Sequence, residues 1–476
     1  MNGEKIITEG VKWLSERLSI YSCYGKKALA SNSLSCYESK AALEAAYDEV
    51  ETLSDIFKNN KDVFNRLSRV FMSVRNIEGT LKNLRAGLVL DETELLELKN
   101  FSLHILEVTK ICHEHSVAVK RIVFSDLSGV IKLLNPDKTV VLSFYIHDSY
   151  SERLKAIRAD KKKIEYAILR CAIPSEKEKL REQRALLVQQ ERDEELEVRF
   201  HLSKELKPYV DFLSSDCHAL GQLEFISAKA ELALRYGCTR PIIGENGCNV
   251  ALVGGTNPEL SEILEKDKRS FTAVDIETRV GATLLTGANM GGKTVALMTI
   301  ALNIELAMLG MFVFAKSLVL PMFDFIFVMG GDLQDKTYGL SSFGSEIVKL
   351  DTLICRLKNG RGFVVCDEFA RSTNPFEGKR FVQALVDYMN DSDSYGVIST
   401  HYDGIKNDGY CYQVAGLKNI ENKHEIRNTE SLFKYMDYRL IRVTDSKKVP
   451  KEALNIAKML NLSSEFLKKI ENYYRL

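Results

Sequence analysis

The chain has 476 residues, with 65 Lys and Arg against 65 Asp and Glu, so its formal net charge is zero. Its 45% of hydrophobic residues is ordinary for a folded protein and, with the zero charge, excludes a mainly disordered chain. The same balance argues against the strongly basic surface of a dedicated nucleic-acid-binding protein, although a local basic patch stays open.

Charged residues interrupt every apolar stretch well before 18 positions, so we expect no membrane-spanning helix. The first residues, MNGEKIITEGVKWLSERL, carry acids and lack the apolar core of a secretion signal. The ten cysteines stand singly, without a C-x-x-C pair, which favours reduced thiols over a zinc site or a disulfide framework. These features predict a soluble, cytoplasmic protein.

The first half of the chain has the pattern of successive helices. In residues 38–59, apolar side chains recur every three or four positions, as on one face of an amphipathic helix. Similar stripes run through 63–86 and 92–111, and alternation typical of strands is almost absent before residue 138.

Residues 152–173 and 175–199 are charged and helical in pattern, with a break at Pro174. They predict a long antiparallel helical arm, and two ordinary surface helices fit the pattern nearly as well. Residues 151–207 hold 15 Lys and Arg and 12 Asp and Glu, and their only basic run is Lys161 to Lys163. Because a segment that grips phosphates is expected to be more strongly basic, the arm gives only weak support for DNA binding.

The character of the chain changes near residue 237, where glycines cluster and short β-branched runs alternate with helical patterns. This alternation predicts an α/β sheet with ligands at the carboxyl ends of its strands. After residue 430 the pattern is helical again. The predicted buried strands are 280–287, 312–315, 323–331, 362–368 and 395–401.

The run GANMGGKT fits the phosphate-binding pattern G-x-x-x-x-G-K-[ST]. In this pattern backbone N–H groups surround the phosphates, the lysine reaches the β- and γ-phosphates, and the hydroxyl residue ligates Mg²⁺. The run follows a predicted strand and opens a predicted helix, which is the context that the pattern requires. The predicted nucleotide-binding residues are Gly287, Ala288, Asn289, Met290, Gly291, Gly292, Lys293 and Thr294, with Thr294 as a metal ligand.

Two further strand ends carry candidate chemistry. FVVCDE, residues 363–368, predicts a buried strand that delivers Asp367 as a Mg²⁺ ligand and Glu368 as the general base for an attacking water. A helix-capping acid pair is the alternative, and it fits poorly downstream of a phosphate loop. His401, in THY after another predicted strand, is predicted to hydrogen-bond the γ-phosphate or the attacking water. A purely structural role is the alternative.

These motifs resemble those of the MutS family of ATPases, which belong to the ABC class. GANMGGKT is similar to the family's phosphate loop, DEFARSTNPFEG (367–378) to its Walker B and D-loop run, and STHY to its switch-histidine segment. GLSSFGSE (339–346) resembles the signature loop, which implies that Ser341 contacts the γ-phosphate held by a partner subunit. The partner is then an identical chain or a related MutS-like subunit.

The resemblance implies a mixed fold, in which an all-α core with a helical arm is followed by an α/β ABC-type P-loop ATPase domain. RVFMSVRNIEGTLKNLRAG (69–87) is similar to the family's helical core, and the expected domains are 1–236, 237–430 and a helical dimerisation tail, 431–476. The implied catalytic residues are Glu368, His401, Lys293 and Ser341, with ATP and Mg²⁺ as ligands.

The chain also departs from the repair enzymes of this family. Those that read mismatched DNA carry two further N-terminal domains and a Phe-x-Glu wedge, whereas this chain resembles the core from its start. In the D-loop run, Asn374 and Pro375 replace the usual small hydroxyl residues. The arm is also short for a lever and a DNA clamp together.

ARSTNPFEG and the VPKEAL run of the tail resemble a smaller branch, the MutS-like reactivating factors of adenosylcobalamin-dependent lysine aminomutase. This resemblance implies an ATPase that remodels an enzyme carrying damaged cofactor, with no part played by DNA. A DNA-binding ATPase acting on mismatched or branched DNA is the alternative. A structural subunit that binds nucleotide with little turnover is disfavoured. The residues expected for hydrolysis are all present: Lys293, Thr294, Asp367, Glu368 and His401.

Overall fold

The computed structural model describes residues 8–32, 37, 39–117, 119, 121–137, 145–287, 292–330, 342–417, 435–443, 454, 457 and 462–474. Up to residue 236 the described part of the chain forms helices and contains no strand. The helices are α1 (Glu9–Ser15), α2 (Cys23–Asn32), α3 (Lys40–Asn59), α4 (Lys61–Ser73), α5 (Glu78–Arg85), α6 (Glu92–Glu114), α7 (Ser128–Leu134), α8 (Glu152–Arg170), α9 (Pro174–Leu206) and α10 (Val210–Tyr236).

The predicted helical stripes correspond to α3, α4, α5 and α6, and their apolar positions are buried. In α3 the side chains of Leu43, Tyr47 and Leu53 have no exposed surface. Asp91 caps α6 by accepting a hydrogen bond from the Glu94 N–H, while the Glu94 carboxylate accepts from the Asp91 N–H. This reciprocal capping box satisfies backbone donors that a helix start otherwise leaves unpaired.

Helices α8 and α9 form an antiparallel hairpin. Pro174 stands in the first turn of α9, where its missing N–H costs no helical hydrogen bond, and so the helix begins there. Arg184 of α9 pairs with Glu165 of α8 at 2.8 Å, and Arg158 of α8 pairs with Glu195 at 2.7 Å. These cross-links run in opposite chain directions, as the predicted antiparallel pairing requires.

The C-terminal half contains two sheets and the remaining helices. The four-stranded sheet has the order β1-β5-β2-β3, and the six-stranded sheet has the order β10-β9-β4-β8-β7-β6. The strands are β1 (Ile242–Ile243), β2 (Val250–Gly255), β3 (Val274–Thr278), β4 (Gly281–Thr286), β5 (Ser317–Leu320), β6 (Phe325–Met329), β7 (Gly362–Cys366), β8 (Tyr395–Ser399), β9 (Cys411–Leu417) and β10 (Met436–Val443); the helices are α11 (Pro258–Lys266), α12 (Lys293–Met308), α13 (Ser342–Leu357), α14 (Pro375–Asn390) and α15 (Ser464–Tyr474).

In the six-stranded sheet all neighbours are parallel except β9 and β10. Every residue of β4, β7 and β8 is buried, as the continuous apolar runs predict for strands covered on both faces. Helices α13 and α14 contribute Leu353, Val382 and Met389 to the core against this sheet. The predicted mixed fold, helical first and α/β second, is confirmed.

Two parts of the strand prediction are wrong. Residues 312–315 form no strand; they are buried individually, with the Phe314 ring edge-on to Tyr236 at 5.5 Å, and only Val313 forms an isolated bridge. The strand follows instead at β5. The tail predicted to be helical from 431 contains β10, which pairs antiparallel with β9 at the edge of the six-stranded sheet.

Contacts divide the chain into two compact units. One contains residues 1–18, 33–51 and 232–476, and the other contains 19–32 and 52–231. These two units do not test the domain boundaries expected at 236 and 430, which stay predictions. Over the residues described, no helix is both long and apolar enough to cross a bilayer.

Candidate functional site

Three of the predicted motifs end at one edge of the six-stranded sheet. Strand β8 lies between β4 and β7, in parallel with both, and the register places Leu285 opposite Ser399 and Cys366 opposite Ile398. The phosphate loop follows β4, the acid pair follows β7, and His401 follows β8. In a parallel sheet the carboxyl ends of the strands share an edge, where ligands bind.

Helix α12 begins immediately after the phosphate loop, and Gly292 is its N-cap. Gly292 has φ of +83°, a left-handed conformation that side chains with a Cβ disfavour. A Cβ there would also lie 2.9 Å from Cδ1 of Tyr438. Only glycine therefore allows the chain to turn into α12 at this point and present the helix N-terminus to a phosphate.

Lys293, the first residue of α12, is buried, with 5% of its surface exposed. Its Nζ donates a hydrogen bond to the Gly287 carbonyl at 2.8 Å and lies 3.2 Å from Oε1 of Glu368. A buried ammonium needs such partners, because losing water without them is costly. The predicted phosphate-binding cation and the predicted base are thus in direct contact.

Thr294 and Asp367, the two predicted metal ligands, are also in contact. The Thr294 Oγ1 donates to Oδ2 of Asp367 at 2.6 Å, and the Ser399 Oγ donates to the other carboxylate oxygen, Oδ1, at 2.7 Å. A hydroxyl and a carboxylate side by side are the hard oxygen donors that Mg²⁺ prefers. The residues present therefore fit a magnesium ion bound with a nucleotide phosphate.

Glu368 stands in a turn of unusual backbone conformation. Its φ is +48° and that of Ala370 is +61°, each of which costs roughly 1–3 kcal/mol for a residue with a Cβ. The Glu368 N–H donates to Ser399 Oγ at 2.8 Å, and its Oε2 lies 2.9 Å from Nη1 of Arg371. Hydrogen bonds from neighbouring elements thus hold the turn that directs the Glu368 carboxylate toward Lys293.

His401 lies next to this cluster, with its ring 4.2 Å from that of Tyr402. Partial loss of hydration lowers its pKa below 6.5; the charges of Lys293 and Arg371 act in the same direction, and Glu368 opposes them. The imidazole is therefore neutral at pH 7, so it can both donate and accept a hydrogen bond.

The structure brings together Gly287, Lys293, Thr294, Asp367 and Glu368, with His401 beside them. Residues 288–291 and Ser341, also predicted for the site, lie outside the described residues.

Three side chains of the site lie inside motif segments quoted above, STHY and GLSSFGSE, but were assigned no role from the sequence. Ser399 ends the apolar strand β8, and the parallel register places it beside Asp367, which is the signal that would have identified it. Glu346 of α13 and Tyr402 both hydrogen-bond the backbone of Ala370. Both residues stand in the quoted motif segments, but only the tertiary structure shows that they contact Ala370.

Residues 283–475 match the family description "MutS domain V", which is an ATPase domain. The chain is 26% identical over 277 residues to an "Endonuclease MutS2" of Caldanaerobacter subterraneus subsp. tengcongensis, covering 58% of this chain and 33% of that protein. It is 24% identical over 278 residues to a "DNA mismatch repair protein MutS" of Staphylococcus saprophyticus, covering 58% and 30%.

An "Endonuclease MutS2" of Levilactobacillus brevis is 32% identical over 221 residues, 46% of this chain and 27% of that protein. The matched part thus spans about a third or less of each of these relatives. The chain is homologous to MutS and MutS2 proteins, and the phosphate loop, acid pair and His401 all lie within the segment that matches domain V.

Proposed function

We propose that this chain, homologous to MutS proteins, binds ATP with Mg²⁺ and hydrolyses it to ADP and phosphate at the edge of the six-stranded sheet. The observation that carries this proposal is the double contact between the phosphate loop and the acid pair. Thr294 reaches Asp367 at 2.6 Å, and Lys293 reaches Glu368 at 3.2 Å. No helix-capping role of the two acids requires those contacts.

In the proposed reaction, Lys293 exchanges its contacts with Gly287 and Glu368 for the β- and γ-phosphates. Thr294 and Asp367 would hold Mg²⁺, which when bound neutralises developing negative charge on the phosphate oxygens. Glu368 accepts a proton from water while the water oxygen bonds to the γ-phosphorus and the bond to ADP breaks. The neutral imidazole of His401 would orient that water or the γ-phosphate.

The test uses Lys293→Ala and Glu368→Gln, with Lys358→Ala and Glu377→Gln as controls for exposed positions of the same charge. We expect Lys293→Ala to abolish nucleotide binding, because the loop loses its cation. Glu368→Gln is expected to bind ATP normally and to hydrolyse it roughly 10²- to 10⁴-fold more slowly, the usual contribution of one general base. Hydrolysis by Glu368→Gln at the wild-type rate would refute the assignment of the base.

We further propose that two chains share the nucleotide sites, because the resemblance assigns Ser341 to a partner's γ-phosphate. A mixture of Lys293→Ala and Ser341→Ala chains then provides one intact composite site in each mixed dimer. An equal mixture of two inactive variants should regain roughly a quarter of the wild-type rate if chains exchange freely. A mixture that stays inactive, with monomers by light scattering in ATP, contradicts a shared site.

We propose a protein client for the ATPase cycle, and the charges of the α8–α9 hairpin support this. Of the 15 cations in residues 151–207, eight have a carboxylate oxygen within 3.9 Å. These cations are Arg153, Lys155, Arg158, Lys161, Lys163, Arg181, Arg184 and Arg199. Cations already paired with carboxylates offer little net charge to a phosphate backbone.

The candidate client, from the resemblance of ARSTNPFEG and VPKEAL, is an adenosylcobalamin-dependent lysine aminomutase. None of the relatives named above refers to such an enzyme, so this finer proposal depends on those two short runs. If it is correct, purified aminomutase inactivated during turnover should regain activity on adding this chain with ATP, and Glu368→Gln should fail to restore it. Unchanged aminomutase activity with the wild-type chain would contradict this client.

The second candidate is an ATPase acting on DNA, which the names of the relatives favour. The discriminating measurement is a titration with homoduplex, mismatched and branched DNA at physiological salt. For a protein client, we expect dissociation constants no tighter than roughly the micromolar non-specific range and an unchanged ATPase rate. Nanomolar, structure-selective binding that accelerates hydrolysis would establish the DNA function instead.

A further inference from the structure

The backbone of Ala370 is held on both sides by side chains from two other elements. Its N–H donates to Oε2 of Glu346 at 2.7 Å, and its carbonyl accepts from the Tyr402 hydroxyl at 2.9 Å. Ala370 itself has no exposed surface. Both peptide groups of a residue two positions after the proposed base are therefore fixed by groups outside its own loop.

Glu346 also binds the next turn of this loop. Its other oxygen, Oε1, accepts from the Ser372 hydroxyl at 2.8 Å, so one carboxylate of α13 spans two residues of the segment after β7. Each of these bonds has a charged acceptor, which makes it stronger than a bond between neutral groups.

Tyr402 is fitted to its position by Gly378 of α14. A Cβ on Gly378 would lie 2.2 Å from the Tyr402 hydroxyl and 2.7 Å from the Ala370 carbonyl oxygen, so any other residue there would displace this contact. Burial, together with the charge of Glu346, raises the pKa of Tyr402, which keeps the hydroxyl protonated as a donor. Glu346, Tyr402 and Gly378 thus all lie against the backbone of Ala370.

This convergence has a conformational reason. Glu368 and Ala370 both have positive φ, a conformation that the chain abandons unless surrounding contacts hold it. If the turn relaxed, the Glu368 carboxylate would leave its place beside Lys293. The contacts of Glu346 and Tyr402 with Ala370 therefore help to fix the position of the Glu368 carboxylate.

We propose that Glu346 and Tyr402 are positioning residues for hydrolysis, which hold the Glu368–Ala370 turn and thereby place the Glu368 carboxylate. This inference rests on the proposed function, in which Glu368 is the base. Neither side chain needs to contact the nucleotide. Their removal should therefore affect the rate of the chemical step and leave the affinity of the phosphate loop for ATP unchanged.

The test compares Glu346→Ala and Tyr402→Phe with Glu346→Gln. Both deletions should lower kcat roughly 10- to 100-fold, the cost of a misplaced catalytic group, with KM for ATP changed less than about twofold. Glu346→Gln should stay near the wild-type rate, because its amide oxygen accepts from the Ala370 N–H and its NH₂ donates to Ser372. Tyr395→Phe is the matched control: it also deletes a buried hydroxyl bonded to a carbonyl, that of Cys248 at 2.6 Å, and should leave kcat unchanged.

The decisive readout is the same pair of deletions in the Glu368→Gln background. If Glu346 and Tyr402 act through Glu368, they cause no further loss there, whereas a general loss of folded structure lowers the residual rate again. Wild-type kcat in both deletions, or additive losses in the Glu368→Gln background, would overturn the inference while the proposed ATPase stands. A wild-type rate in Glu368→Gln alone would overturn the base assignment and this inference together.

Discussion

Ser399 hydrogen-bonds both acidic residues of the site, Asp367 and Glu368. Its hydroxyl donates to Asp367 at 2.7 Å and accepts from the Glu368 N–H at 2.8 Å, and it is fully buried. A single hydroxyl thus orients the proposed metal ligand and the backbone of the proposed base. Replacing it leaves a buried N–H without its acceptor, which carries the full cost of desolvation.

We therefore predict that Ser399→Ala lowers kcat about tenfold and raises the Mg²⁺ concentration needed for half-maximal rate. The measurement is a Mg²⁺ titration of ATP hydrolysis. Thr283→Val is the control, because the Thr283 hydroxyl on β4 is buried with no hydrogen-bond partner among the described residues. Equal effects of the two substitutions would show that Ser399 serves only the packing of the sheet.

Glu305 of α12 is a buried acid away from the site. Burial raises its pKa to about 7, while hydrogen bonds from the N–H and hydroxyl of Thr8 act in the opposite direction. The unfolded chain releases this proton near the ordinary Glu value, so between about pH 4.5 and 7 the folded state binds more protons. The Glu305 contribution to stability therefore falls as the pH rises through this window.

We predict that Glu305→Gln removes this dependence, because the amide oxygen still accepts from Thr8 and carries no charge. The difference in unfolding free energy between variant and wild type should grow from pH 4.5 to 7 in favour of the variant. Its size should reach about 2–3 kcal/mol, the equivalent of the raised pKa. Parallel stability curves for the two proteins across this range would contradict the prediction.

At the scale of elements, one buried guanidinium joins the two helices of the α8–α9 hairpin. Arg158 of α8 donates to Glu191 at 2.9 Å and Glu195 at 2.7 Å on α9, and to the Ile146 carbonyl at 2.6 Å. Its planar fork matches several acceptors at once, which lysine cannot do. Removing Arg158 takes its charged partner from Glu195, which is partly buried, while Glu191 keeps its pair with Lys161.

We predict that Arg158→Met lowers the free energy of unfolding by about 2–3 kcal/mol, less than the loss of a fully buried pair, and that Arg158→Lys gives a smaller loss. Urea unfolding followed by circular dichroism measures both. Arg181→Met, which removes an exposed ion pair on α9, is the control and should cost no more than about 1 kcal/mol. A loss from Arg158→Met no greater than that of the control would show that the cluster is energetically neutral.

The sequence was sufficient for elements whose pattern is local. The 3–4 periodicity of α3 and α6 and the apolar runs of β4, β7 and β8 are set by the residues themselves. Residues 312–315 have the apolar composition of a strand. In the folded chain, however, the Phe312 and Phe314 rings pack against Tyr47 and Tyr236, which are distant in the sequence.

The candidate site divides in the same way. Lys293, Thr294, Asp367 and Glu368 could be predicted because chemistry fixes their spacing from strand ends. The side chains that hold the turn after Glu368, Glu346 and Tyr402, lie in two other motif segments, where the sequence gives no sign of a contact with Ala370. Their selection is a property of the tertiary structure.

At the scale of the whole molecule, the unit that contains the site is built from both ends of the chain. Residues 8–18 and 39–51 belong to the same compact unit as the segment from 232 onward. Tyr47 of α3 donates to the Ala307 carbonyl at 2.6 Å, and Arg240 pairs with Glu44 of α3 at 2.7 Å. The fragment 237–476, although it includes every site residue, lacks these partners.

We predict that the fragment 237–476 unfolds without the cooperative transition of the full chain and hydrolyses no ATP. Exposing the faces of α12 that α1 and α3 cover leaves Glu305 without Thr8 and apolar side chains in water. Calorimetry and an ATPase assay of the fragment provide the check. A sharp transition and full activity would show that the N-terminal segments are dispensable.

The hydrogen bond between Thr8 and Glu305 joins two residues that are synthesised at very different times. Their positions differ by 297 residues, so at roughly 5–20 residues per second the first helix leaves the ribosome about 15–60 s before its acceptor exists. During that interval α1, which packs Gly10 against Leu302 of α12, has no α12 to contact. The compact unit that contains the candidate site is therefore completed only after α12 has been synthesised, when α1 packs against it.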